Sequence, residues 1–279
     1  MDPENLSNTL EDRDTQVNRT PLLFLGHGSP MNAMEDNVFT RGFRKVAGTL
    51  ERPAAVLCIS AHWFIRGTKV TAMEEPRTIH DFYGFPRELY EIKYPASGNP
   101  EIAEKVRKML SPTPVEADMA WGLDHGTWSV MRHIFPNADI PIIQLSIDHT
   151  KSAAYHYELA RKLRPLRDEG VLIVGSGNIV HNLGLVDFHN IDKLDHGYEW
   201  AWEARSRINE LLLEGDHKTL IEYKRGGRAF QLAIPTPDHF LPLIYVLGSM
   251  YEDESVRLFN DKLVAGSLTM TSLLISKQV

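Results

Sequence analysis

The sequence predicts a single-domain α/β fold with a mainly parallel central sheet covered by helices on both faces. Three observations lead there. Four apolar, β-rich runs (21–25, 54–60, 140–147 and 171–174) each end in small or polar residues, and unbroken hydrophobicity suits strands buried on both faces. Segments with apolar residues at helical spacing lie between and after them, and strands alternating with helices imply parallel pairing. The chain of 279 residues is long enough for one such fold to bury its own core without covalent staples.

The elements follow in order. Residues 1–20 are polar and acidic, with too little apolar surface to offset their ordering entropy, so a flexible N-terminal extension is expected before a catalytic domain at 21–279. That composition is the opposite of a secretory leader. The run 21–25 leads into Gly26-His27-Gly28, and the run 54–60 into Ala61-His62-Trp63. Residues 71–100 are rich in proline, glycine and aromatics and only weakly periodic; so long a loop in a compact domain usually serves function. Helical spacing predicts helices at 101–110 and 153–168, the second closed by Glu169-Gly170. Later helices are expected at 200–214 and 240–247, and a final strand within 267–275.

Composition excludes several classes of function. A net charge of -7 argues against a nucleic-acid groove, which must neutralise phosphates. Lys224-Arg225 with Arg228 is too short a basic cluster to change this. No apolar run approaches the roughly 20 residues that span a bilayer, so no membrane partner is expected. One cysteine, Cys58, cannot form an internal disulfide, which points to a reducing, cytoplasmic setting. Its place in an apolar run marks it as a small buried hydrophobe.

The histidines carry the chemistry. Of twelve, His27, His62 and His181 follow predicted strands, and ligands in α/β folds collect beyond the carboxyl ends of strands. His239 sits at a predicted helix start after two prolines, and His125 lies in WGLDHGTW before another short helix. Neutral imidazole is the commonest protein metal ligand and suits zinc and iron alike. His133, His149, His156, His189, His196 and His217 fall on helices or in charged loops and read as surface residues. No compact metal motif such as HExxH is present, so the residues alone point to a histidine-rich metal site of open chemistry.

Six segments taken in order, LFLGHGSPMN, SAHWF, TIHDFYGFP, WGLDHGTW, SGNIVHNL and PTPDHFLPL, resemble the 4,5-DOPA extradiol dioxygenases. These are class III extradiol enzymes related to the catalytic subunit of protocatechuate 4,5-dioxygenase. The resemblance runs from about residue 21 to the C-terminus and implies a non-haem metal held by His27, His62 and His239. It places His181 beside the metal as acid/base or fourth ligand, and His125 as a second catalytic histidine in the pocket. His80, Asp81, Phe82 and Tyr83 are expected to cover the substrate ring. The activity implied is O₂-dependent opening of a catechol, of L-DOPA type, to a seco-DOPA that cyclises to betalamic acid. Fe(II) is expected for catalysis and Zn(II) in the purified protein, which would act as a monomer or homodimer. One departure stands out: the related facial triad has two histidines and a carboxylate, so a third histidine leaves the site one negative charge short.

Three other chemistries share parts of this pattern. A serine hydrolase is suggested by Gly175-Ser176-Gly177, but Val174 and Asn178 occupy the places where a nucleophile elbow needs glycine. A dinucleotide site lacks its third glycine, Val180 standing there. A zinc-dependent hydrolase or amidase could use the same histidines to activate water, and the ligand pattern alone does not separate it from the dioxygenase.

Overall fold

The computed structural model describes residues 19–191 and 193–277. The expected extension at 1–20 thus lies outside the described residues except for its last two. Those two are tied down: the Thr20 hydroxyl donates to the Val171 carbonyl at 2.7 Å, and Arg19 reaches Asp253 at 2.9 Å.

The sheet contains β1 (Leu22–Gly26), β2 (Ala55–Ile65), β3 (Thr68–Thr71), β4 (Val115–Asp118), β5 (Ile142–Asp148), β6 (Val171–Gly177) and β7 (Glu254–Phe259). A small hairpin of β8 (Leu263–Val264) and β9 (Leu268–Thr269) precedes the last sheet strand, β10 (Ser272–Lys277). Their order is β4-β3-β5-β2-β6-β1-β10-β7. The four strands β5-β2-β6-β1 run parallel, whereas β10 and β7 add antiparallel pairs at one side. Those four parallel strands are the predicted ones. Buried on both faces, they are apolar at most positions.

Alternate residues along the strands serve opposite faces, as the pleat requires. Leu57, Ile59, Ile143, Leu145 and Ile173 join one core with α3 (Pro100–Met109), α5 (Ala153–Arg161), α6 (Glu199–Glu214), α7 (His217–Ile221), α8 (Gly227–Ala233) and α9 (Leu241–Gly248). Val56, Cys58, Ile142, Leu172 and Val174 face the other core, under α1 (Val38–Ala47), α2 (Arg87–Tyr90) and α4 (His125–Ile134). Among the described residues, no helix is long and apolar enough to cross a membrane.

Two elements differ from expectation for local reasons. The predicted helix 153–168 stops at Arg161, and residues Arg164–Glu169 form a 3-10 turn closed by Gly170 at φ +81°. Pro165 has no amide hydrogen to donate to residue 161, and its ring crowds that carbonyl. The strand predicted at 54–60 continues to Ile65 across a register shift, for Ile59 pairs with Leu145 and Phe64 already with Ile147. Such a bulge re-aims the side chains it carries, and His62 lies inside it.

Two of the histidines assigned to the surface are buried instead. His156 is fully enclosed between Tyr245 and the Asp148 carbonyl. His133 donates Nε2–H to the Asn32 carbonyl at 2.7 Å.

Candidate metal centre

Five histidines converge where the carboxyl ends of β1 and β6 meet the bulge within β2. His27 follows β1, and its amide continues the ladder by donating to the Gly177 carbonyl at 3.1 Å. His62 is carried into the same space by the β2 bulge. His125 opens α4, whose N-cap is the buried Asp124. That carboxylate accepts from Thr127 N, from the Ser60 hydroxyl at 2.7 Å and from Gln144 Nε2 at 2.7 Å. It therefore ties β2, β5 and the start of α4 together, and so fixes where His62 and His125 stand. His239 lies just before α9, its carbonyl accepting the Asn178 amide at 2.9 Å. His181 sits beyond β6, with its ring stacked on His239 at 3.6 Å and an interplanar angle of 9°.

Two glycines make the convergence sterically feasible. A Cβ on Gly126 would stand 2.8 Å from His62 Cδ2, and one on Gly177 would stand 2.2 Å from the His239 carbonyl oxygen. Any side chain at either place would push a site histidine outward.

The rings of His27, His62 and His239 form a near-equilateral triangle, with centroids 5.0, 5.2 and 5.2 Å apart. Hydrogen bonding fixes which nitrogen each turns inward. Ser176 spends its hydroxyl proton on the Gly126 carbonyl, so at 3.0 Å it can only accept from His27 Nδ1. His62 Nδ1 faces Asp81 Oδ2 at 3.2 Å, and His239 Nδ1 is bonded to Asp238 Oδ2. An ionised carboxylate is acceptor-only, so all three imidazoles hold a proton on Nδ1 and leave Nε2 as the lone-pair nitrogen. His27 Nε2 and His62 Nε2 then face each other at 3.2 Å. Two lone pairs at that distance repel unless a cation lies between them. Nitrogens about 2.0–2.1 Å from one zinc ion at a tetrahedral angle stand roughly 3.3 Å apart, so the donor set fits a metal.

The triangle is one of ring centroids; the donor atoms within 4.8 Å of one another are those of His27, His62 and His125, and those of His181, Asp238 and His239. Yet His125 is 3.9 Å from the His62 ring and His181 3.6 Å from the His239 ring, closer than the triangle's edges. Each flanks a corner of the triangle.

Electrostatics favour the neutral, ligating state. Burial, reinforced by the surrounding histidines, holds His27 well below the usual imidazole range. Burial lowers His239 and His125 too, against the opposing pull of Asp238 and Asp81. It pushes His181 down to about 3, with His239 adding to the effect. His62 is the exception: burial lowers it, but the Asp81 contact and the charges of Asp124 and Asp238 outweigh burial and raise it. Burial would raise Asp81 and Asp238, yet their histidine partners hold both well below the usual carboxylate range. The charge missing from a three-histidine set is thus present one bond further out.

The expected substrate loop divides. Asp81 bonds His62 and His125. Phe82 meets the His125 ring edge-on at 5.4 Å. His80 turns away to the Ile92 carbonyl at 2.9 Å, and Tyr83 is 92 % exposed. Asp238 and Ser176 were missed as supporting residues. Asp238 adjoins a candidate ligand in sequence, whereas Ser176 carried no local signal for its role, and its bonds to His27 and Gly126 leave no nucleophilic hydroxyl.

The fold and site together define a histidine-centred metal protein of the α/β class, with its centre at the carboxyl ends of parallel strands. Residues 21–272 match the family model described as the catalytic LigB subunit of aromatic ring-opening dioxygenase, and the chain belongs to that family. It is 48 % identical over 263 residues to the 4,5-DOPA dioxygenase extradiol of Escherichia coli K12, covering 92 % of this chain and 95 % of the relative. The Beta vulgaris protein of the same name is 34 % identical, covering 92 % and 97 %. A crystal structure of an uncharacterized Escherichia coli K12 protein superposes with TM-score 0.80 at 43 % identity, covering 92 % of this chain and all of the other. Family membership confirms the ring-opening dioxygenase expected from the sequence and does not favour the zinc hydrolase or amidase.

Proposed function

We propose that this protein opens the ring of an L-DOPA-type catechol by extradiol, 4,5-cleavage with O₂, giving a seco-DOPA that cyclises to betalamic acid. The observation that carries the reading is the triangle of three histidine rings whose Nδ1 atoms are all held by protein partners, with His27 Nε2 and His62 Nε2 face to face at 3.2 Å. The names borne by the Escherichia coli and Beta vulgaris relatives support the substrate class. His27, His62 and His239 are the ligands in this reading, and Fe(II) is the catalytic metal, although zinc outranks it in affinity and the aerobically purified protein should carry zinc or be partly empty. When bound, the metal lowers the pKa of catechol hydroxyls and holds both reactants at one centre.

The chain's own groups do the rest. His181 and His125 stand on opposite flanks of the ligand triangle. His181, kept neutral by burial, takes the remaining phenolic proton and later returns it. His125, oriented by Asp81, hydrogen-bonds the substrate hydroxyl or O₂. Phe82 packs against the substrate ring from the His125 side. A reducing, cytoplasmic setting and a monomer or homodimer belong to the same reading, the first supported by the lone buried Cys58.

The test is oxygen uptake with substituted catechols, using metal-depleted protein reloaded separately with Fe(II) and Zn(II). Fe(II) should restore cleavage and Zn(II) should not. Equal rates with the two ions would sink the redox reading.

A further inference from the structure

One carboxylate meets two site imidazoles. Asp81 Oδ1 lies 2.9 Å from His125 Nδ1 and accepts the His125 backbone N–H, also at 2.9 Å. Its Oδ2 lies 3.2 Å from His62 Nδ1. The Asp81 side chain is only 18 % exposed, so water does not readily take its place. The backbone amide is an obligate donor, and an ionised carboxylate can only accept. Both rings are therefore obliged to keep their proton on Nδ1 and turn a bare Nε2 toward the site.

We infer that Asp81 is a positioning residue that sets the tautomers of His62 and His125 jointly, and through His62 controls whether the centre can take a metal ion. This rests on the ligand set proposed above. The sequence hides the arrangement, because Asp81 lies on the loop between β3 and α2 and its two partners lie on β2 and α4.

The His125 amide makes the inference sharp. Asp81→Asn keeps the shape but replaces one acceptor with a donor. The amide N–H of His125 cannot change its role, so the new side-chain oxygen must stay beside it. The NH₂ group then points at His62 Nδ1, which must become an acceptor. The His62 proton moves to Nε2 and blocks the ligating atom. Asp81→Ala is gentler in this respect. Water admitted beside His62 can accept or donate, so the ligating tautomer remains accessible. The isosteric variant should therefore bind metal worse than the truncation, the reverse of what a space-filling role would produce.

The experiment uses the full-length, metal-free protein labelled at histidine nitrogen, at mildly alkaline pH where the imidazoles are neutral. Nitrogen–proton correlation spectra assign each tautomer, and competition with a chromophoric chelator gives zinc affinity. Wild type should show His62 and His125 protonated on Nδ1. Asp81→Asn should show His62 protonated on Nε2 and bind zinc roughly 10–100-fold more weakly, the usual range for loss of a ligand's supporting partner. Asp81→Ala should lose less. The inference is overturned if wild-type His62 carries its proton on Nε2, if it keeps Nδ1–H in Asp81→Asn, or if Asp81→Ala is the weaker binder. A wrong ligand set gives a separate result: His62→Ala would bind zinc as wild type does.

Discussion

Two sets of enclosed imidazoles in this molecule differ completely in what is left over. His156 donates Nε2–H to the Asp148 carbonyl at 3.1 Å and accepts the Tyr245 hydroxyl on Nδ1 at 2.9 Å. Both nitrogens are consumed by the fold, so it joins the end of β5 to α9 and has nothing to offer a ligand. His133 is similarly occupied between the Asn32 carbonyl and Arg44. In the candidate metal centre His27, His62 and His239 commit Nδ1 to Ser176, Asp81 and Asp238, and His27 Nε2 and His62 Nε2 face each other at 3.2 Å. Burial makes a histidine structural; an unspent nitrogen that meets others makes it a candidate ligand.

The largest effects should come from the triangle. His27→Ala, His62→Ala and His239→Ala should each lose metal and catechol cleavage together, because two imidazoles do not hold the ion as three do. Elemental analysis beside oxygen uptake reads both losses. Full metal retention in any one of the three would remove that residue from the ligand set.

Next in size is His181→Ala. It should keep most of the metal while turnover falls by roughly 10²–10⁴-fold, the usual range for loss of a general acid–base group. Catechol binding should survive, since it depends on the metal and not on the base. Metal loss as complete as in His27→Ala would make His181 a fourth ligand and leave His125 as the base.

His156 tests the other side of the comparison. Its folded pKa is lowered to about 4 from the ordinary 6.5, chiefly by burial. Between those values the unfolded chain binds a proton that the folded chain refuses. Its contribution is therefore intact above pH 6.5 and lost as pH falls toward 4. The loss is on the order of 3 kcal/mol at most. His156→Gln should destabilise the protein by about 1–3 kcal/mol at neutral pH through orphaned partners, and that deficit should shrink in acid. Denaturant unfolding across pH reads it. A deficit that grows in acid would mean His156 is charged in the fold.

How legible all this was from sequence depends on how locally each feature is encoded. The central strands were readable because burial on both faces leaves only apolar residues, as in 171–174. The strands β3 and β4, the outermost pair at one side of the sheet, are four residues each, too short to show a pattern. His27, His62 and His181 were found because strand ends in this fold point to the site. His156 was misread although the signal was present: Ala153, His156 and Ala160 lie on one buried helical stripe. The pairing of Asp81 with His62 and His125 could not be read, since three separate elements bring it about and no spacing records it.

The smallest effect separates neighbours on the 71–100 loop. Phe82 packs its ring against His125, Phe85 and Tyr90 with centroids 5.4, 5.4 and 5.0 Å away. Phe82→Ala should open space beside His125 and raise KM for catechols more than it lowers stability. Tyr83 is 92 % exposed, and a surface residue with no such partners changes stability by about 0.5 kcal/mol or less when truncated. Tyr83→Ala should thus leave Tm and metal content unchanged, with KM moving far less than in Phe82→Ala. Steady-state kinetics of the two variants side by side is the measurement. A rise in KM for Tyr83→Ala matching that of Phe82→Ala, with Tm unaltered, would show that Tyr83 swings inward over bound substrate and that the loop closes as a unit.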